Sequence, residues 1–154
     1  MSRFESALDR NLDDIKRPPP PPIGSYVATV DKVPDMPREI EGKPYEILDI
    51  NAKLVSPMED VDPDELAEFG NAAGYGVRVT FVFNTEDDTK FESTLNRLKI
   101  FLGHCGIDEG AAGTLKEALA MLPGTQFVAQ ISHRLDERNN EDVYAEVERT
   151  AAID

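Results

Sequence analysis

Tryptophan is absent from this chain, cysteine occurs once and histidine twice. The lone Cys105 excludes an internal disulfide, and with His104 and His133 as the only imidazoles no zinc-ligand spacing exists. His104 and Cys105 are neighbours on a predicted helix, so they point about 100° apart and do not converge on one metal. Cys105 therefore reads as a small buried hydrophobe. No apolar run approaches the roughly 18 to 20 residues of a membrane span. The first 25 residues lack the apolar stretch of a signal peptide, which places the protein in the cytoplasm where it is made. Enzyme signatures are missing as well: there is no GxxxxGKS/T, no GxGxxG after a strand, no GxSxG and no HExxH. The stretch GNAAGYG at 70–76 is glycine-rich but runs into a strand rather than a helix, so it reads as a flexible loop and not a phosphate cradle. Neither catalysis nor a cofactor is expected.

What is present is one domain's worth of chain: 154 residues, 40% hydrophobic and 30% charged, a globular composition. The net charge is -14. Six of those excess charges, Glu59, Asp60, Asp62, Asp64, Glu65 and Glu68, fall in residues 57–70, which hold no Lys or Arg. That segment lacks the glycine and glutamate positions of an EF-hand loop and reads as a solvated loop with a short helix. Asp62 suits its N-cap, Pro63 its first turn and Gly70 its end.

Residues 1–23 stand apart. Phe4, Leu8, Leu12 and Ile15 make one apolar stripe on a short amphipathic helix. The proline run at 18–22 can be neither helix nor inner strand, so it is expected to be an extended spacer of roughly 15 Å. Such an arm suits a partner or a sister subunit, or folds back on its own domain. Three alternating runs follow: Ser25 to Val33, Tyr45 to Val55 and Tyr75 to Asn84, with an acidic insertion at 56–74 between the second and third. Their inward faces are Tyr26, Ala28 and Val30; Leu48, Ile50, Ala52 and Leu54; and Val77, Val79, Phe81 and Phe83. Thr85 to Lys90 reads as a polar loop. A helix capped by Ser93 or Thr94 then carries Leu95, Leu98, Phe101, Leu102 and Cys105 and stops at Gly106. A second helix, capped by Thr114 in a capping box with Glu117, buries Leu115, Ala118, Leu119 and Leu122. Two more strands, Thr125 to Arg134 and Asp142 to Arg149, end the domain, and 150–154 is a short tail. Taken together, this is a mainly β chain with α, a five-stranded OB-like barrel in the order β-β-β-α-α-β-β over residues 24–149.

OB barrels commonly bind single strands on the face of their second and third strands, between the loops that flank it. Mapped onto this chain, those regions select Arg38 and Lys43 in the first loop, Tyr45 and Lys53 on the second strand, Tyr75 and Arg78 on the third, and Arg134 and Arg138 at the last hairpin. The two tyrosines would stack bases and the cations would neutralise phosphates. The acidity opposes this, because phosphate affinity comes from Lys and Arg.

PPPPPIGSYVATVDKV at 18–33, TLNRLKIFLGHCGID at 94–108 and ALAMLPGTQFVAQISHRLDERNNEDVYAEV at 118–147 together resemble a family of small bacteriophage proteins. In these a proline-glycine entry precedes the first strand, a helix ends in a glycine turn, and a leucine-glycine step precedes the final hairpin. The resemblance is one of spacing and element order. It implies an OB-fold protein of phage DNA replication or recombination that binds single-stranded DNA without sequence preference in the host cytoplasm, beside other replication or recombination proteins. Many of that family end in an acidic tail, whereas this chain ends TAAID. Two other readings stay open: a virion or assembly protein that docks, or forms a homo-oligomer, through its arm, and an acidic DNA mimic that binds a basic protein through 57–70.

Overall fold

Apolar-polar alternation over four long runs gives each strand one mainly buried face, with Ile47 and Val128 buried on the other side, and the chain joins those faces in a single antiparallel sheet. The structure is a computed structural model that describes residues 2–12, 19–135 and 143–153. Its elements in order are α1 (Arg3–Ala7), β1 (Gly24–Lys32), β2 (Arg38–Glu39), β3 (Tyr45–Pro57), α2 (Pro63–Phe69), β4 (Gly76–Asn84), α3 (Asp88–His104), α4 (Leu115–Met121), β5 (Gln126–Leu135) and β6 (Val143–Ala151).

The long strand β3 is the hub. β4 lies along one side of it, from Tyr45 opposite Asn84 to Lys53 opposite Gly76. Its other side takes β1 at Asn51 to Pro57 and the two-residue β2 at Glu46 and Ile47. β1 continues the sheet to β5, and β5 to β6. Three register shifts, at Val27/Ala28, Val30/Lys32 and Gln130/Ile131, bend the strands. β6 thereby approaches β4, but among the described residues no ladder joins them, and the sheet of six strands is open. The expected five strands are all present in the expected order. The sixth, β2, lies in the loop after β1.

The inward residues of all three leading strands are buried as their alternation requires, and β5 adds Phe127, Ala129 and Ile131. α3 covers this face with Leu98, Phe101 and Leu102. Phe101 sits between Phe81 and Phe127, its ring centroid 5.8 Å from the first and 5.1 Å from the second.

Two helix details differ from expectation. α3 begins at Asp88, with Asp87 as its cap accepting from the Lys90 amide at 3.0 Å, rather than at Ser93 or Thr94. Residues 85–90 are thus only partly loop, because Phe91 stacks on Phe83 at 5.3 Å and draws the helix start back to cover the sheet. Thr94 is buried inside the helix, where its hydroxyl contacts the carbonyls of Val82 and Lys90. In α4 the Thr114 hydroxyl accepts from the Glu117 amide, but the Glu117 carboxylate takes the Gly113 amide, one residue before the cap. Leu115, expected inside, is 42% exposed.

The acidic insertion is stitched to the sheet more firmly than a solvated loop would be. Val61 and Ala72 are buried, and the Asp60 carboxylate accepts from the Ser25 amide at 2.9 Å and its hydroxyl at 2.8 Å. Those two bonds hold Asp60 below the usual carboxylate range. Asp62 caps α2 as expected, accepting from the amides of Asp64 and Glu65.

At the N-terminus α1 is closed by a capping box of Ser2 and Glu5. Phe4, Leu8 and Leu12 are all exposed, and Ile15 lies outside the described residues. The proline run does not stand wholly clear of the domain. Pro21 and Pro22 are buried, with the Pro21 carbonyl accepting from His133 Nε2 at 2.6 Å and the Pro22 carbonyl from the Tyr26 hydroxyl at 2.7 Å. Burial pushes that hydroxyl's pKa up to about 12, with Asp60 and Glu65 adding to the shift.

Candidate nucleic-acid interface

Because the even-numbered residues of β3 and the odd-numbered residues of β4 fill the core, Asp49, Asn51 and Lys53 share the outward face with Arg78 and Thr80. The register sets Asn51 opposite Arg78 and Asp49 opposite Thr80. Lys53 lies opposite Gly76, which offers no side chain and leaves room beside the ammonium. Lys53 also sits 3.8 Å from Asp31, an exposed pairing that holds it only weakly.

Two clefts run across this face. The first, of about 950 Å³, is lined by Lys32, Lys53, Tyr75 and Arg78 and reaches Tyr144 and Glu146 on β6, so it opens where β4 and β6 approach with no ladder between them among the described residues. The second, of about 690 Å³, is lined by Val33, Met36 and Arg38 together with Asp49. Asp31, Lys32, Asn51 and Arg78 belong to both, which makes the two clefts one groove.

Three of the sequence-selected residues, Lys53, Tyr75 and Arg78, meet in the first cleft, and Arg38 joins through the second. Arg38 is already engaged, its Nε donating to Asp49 Oδ2 at 3.0 Å. Asp49 accepts from the Thr80 hydroxyl as well, at 2.9 Å. Partial burial would raise the Asp49 pKa, yet the bonds from Arg38 and Thr80 and the nearby charge of Arg78 outweigh it and hold the carboxyl below its ordinary range. Tyr75 is half-buried and meets Phe69 of α2 edge-on at 6.3 Å, so part of its ring is packing surface. Lys43 and Tyr45 do not join the groove. They lie at a separate hollow of about 280 Å³ beside Glu39, Glu41 and Glu46. Arg134 pairs with Glu146 across β5 and β6 at 3.2 Å. Arg138 lies outside the described residues.

Lys32 and Tyr144 were not selected from the sequence. Alternation from Val30 would turn Lys32 inward, but the bulge after Val30 brings it opposite Asn51 and leaves it exposed. Tyr144's place at the groove follows from the approach of β6 to β4.

The charge objection weakens at this site. The groove gathers Lys32, Arg38, Lys53 and Arg78 against Asp31, Asp49 and Glu146, four cations to three anions, on a chain of net charge -14. Among the described residues no group of three or more His, Cys, Asp or Glu is placed to hold a metal ion. Nor is any described helix long and apolar enough to cross a membrane. Neither a scan against protein-family models nor a search of curated proteins returns a match for the chain.

Proposed function

We propose that this protein is an OB-like single-stranded-DNA-binding protein, its barrel left open between β4 and β6, acting without sequence preference in phage replication or recombination. The observation that carries this reading is the groove: a long cleft on the outward face of β3 and β4, locally cationic on an acidic chain, with tyrosines at its wall. A single strand needs only such a track of charge and a few aromatic faces. Connectivity supports it too, since β1 pairs with both β3 and β5, and β3 with β4, in the arrangement an OB barrel requires.

With Arg38 held by Asp49, the other three groove cations neutralising phosphates would give a slope of about -2 in log affinity against log salt, at roughly -0.7 per single-strand phosphate. Fluorescence anisotropy of a labelled poly-dT oligomer across a salt series measures it, and a flat dependence would count against the groove. Asp49→Ala removes a groove anion and frees Arg38. It should tighten binding at low salt by about two- to fivefold, a gain that fades as salt screens the charge.

A further inference from the structure

A second surface, away from the groove, stands uncovered. α3 and α4 meet over a cleft of about 970 Å³ walled by Leu95, Leu102, Ile107, Leu115 and Ala118. Leu115 stands at its mouth, 42% exposed. Gly103 contributes no side chain, and a Cβ there would meet nothing within 4 Å, so the α3 wall admits close approach. At the same time Phe4, Leu8 and Leu12 project from the N-terminal arm, 73%, 64% and 86% exposed. α1 is shorter than the expected helix: it spans only Arg3–Ala7, with Leu8 as its C-cap, so of the three only Phe4 lies on it. The four-residue spacing is the one that would form a stripe if the helix extended through Leu12 on entering a groove.

From this pairing of an apolar groove with an apolar stripe we infer that the arm of one copy docks in the α3–α4 cleft of a second copy. Charge favours this occupant over other stretches of the same acidic chain. Arg3, Arg10, Lys16 and Arg17 balance Glu5, Asp9, Asp13 and Asp14, so residues 1–18 are neutral and the whole of the -14 lies beyond them. The arm is thus the segment that an acidic second copy does not repel. Arg3 stands beside Phe4 of the stripe, while the cleft is bordered by Asp108, which accepts from the amides of Gly110 and Ala111, and by Glu109, paired with Lys99. A reciprocal exchange of arms closes a two-fold dimer, and a one-way exchange builds a chain of subunits. This inference stands independently of the nucleic-acid reading.

Sedimentation velocity on the full chain tests it with two variants. Leu8→Asp disables the arm and Leu115→Asp the cleft. Both positions are exposed, and an acid in the first turn of α4 favours that helix, so thermal melts should match the parent. The parent should self-associate at about 100 µM, and each variant should do so at least ten- to hundredfold more weakly, the loss that follows from unburying one leucine at each arm–cleft contact. An equimolar mixture of the two variants should recover a heterodimer, because one supplies an intact arm and the other an intact cleft. A monomeric parent, a Leu115→Asp chain that assembles like the parent, or a mixture that stays monomeric would each overturn the inference. Arm amides protected from hydrogen exchange in a monomeric parent would show the arm in its own cleft instead.

Discussion

Phe127→Ala is expected to lower the free energy of unfolding by about 4 kcal/mol, the cost of emptying an aromatic site in a core that closes only partly around the cavity. Phe127 is fully buried on β5, opposite Ala28 of β1. Its ring meets Phe101 of α3 edge-on at 5.1 Å, interplanar angle 79°. It therefore ties the sheet to its covering helix, and Ala28 is too small to fill the space it would leave. For a domain of this size the loss corresponds to a fall in Tm of about 8–16 °C. Val82→Ala, on the outward face of β4 and 44% exposed, should change stability by no more than about 0.5 kcal/mol. Chemical denaturation of the two variants beside the parent measures both. Equal losses would mean that the inward and outward faces are wrongly assigned.

The second large effect is expected at Gly24, where the chain enters β1. Its φ of +145° is a conformation side chains rarely adopt, and a Cβ there would lie 2.6 Å from Val61 Cγ2 and 3.1 Å from Val61 Cα. Backbone strain and overpacking each cost about 1–3 kcal/mol, so Gly24→Ala should destabilise by about 3 kcal/mol. Removing the valine side chain in a Gly24→Ala, Val61→Ala pair relieves only the Cγ2 contact, because the strain and the approach to the Val61 backbone remain. The two changes should be non-additive, the double variant being more stable than the sum of the single losses implies. Gly42→Ala, with φ +76° but open space around it, isolates the strain and should cost about 1 kcal/mol. If Gly24→Ala melts with the parent, the insertion does not pack on the first strand.

That contact marks the boundary of what could be read from residues alone. Period-two alternation located the long strands because one face of each is core, so Val77, Val79, Phe81 and Phe83 could point only one way. Caps on α2 and α4 were legible at Asp62 and Thr114 because their side chains act within three residues. The misreadings were long-range. Thr94 resembles an N-cap, but the sheet under α3 pulls the helix past it to Asp87. Pro21 and Pro22 resemble a free spacer, yet Tyr26 and His133 bind their carbonyls. In the candidate groove, Lys53 and Arg78 could be selected because they sit mid-strand on outward faces. Lys32 could not, since a bulge has no local signature; Lys43 follows from loop membership, which does not say where a loop lies, and Tyr45 sits at the far end of its strand, away from the groove.

The central claim is that one groove, centred on Lys53 and Arg78, holds a single strand. Its most direct test is anisotropy of labelled poly-dT with the Lys53→Glu, Arg78→Glu variant at low salt. Reversing two of the four groove cations should weaken binding by about a hundredfold or more. The melting temperature should stay within about 2 °C of the parent, since both residues are exposed. A folded variant that binds poly-dT as tightly as the parent would contradict the claim.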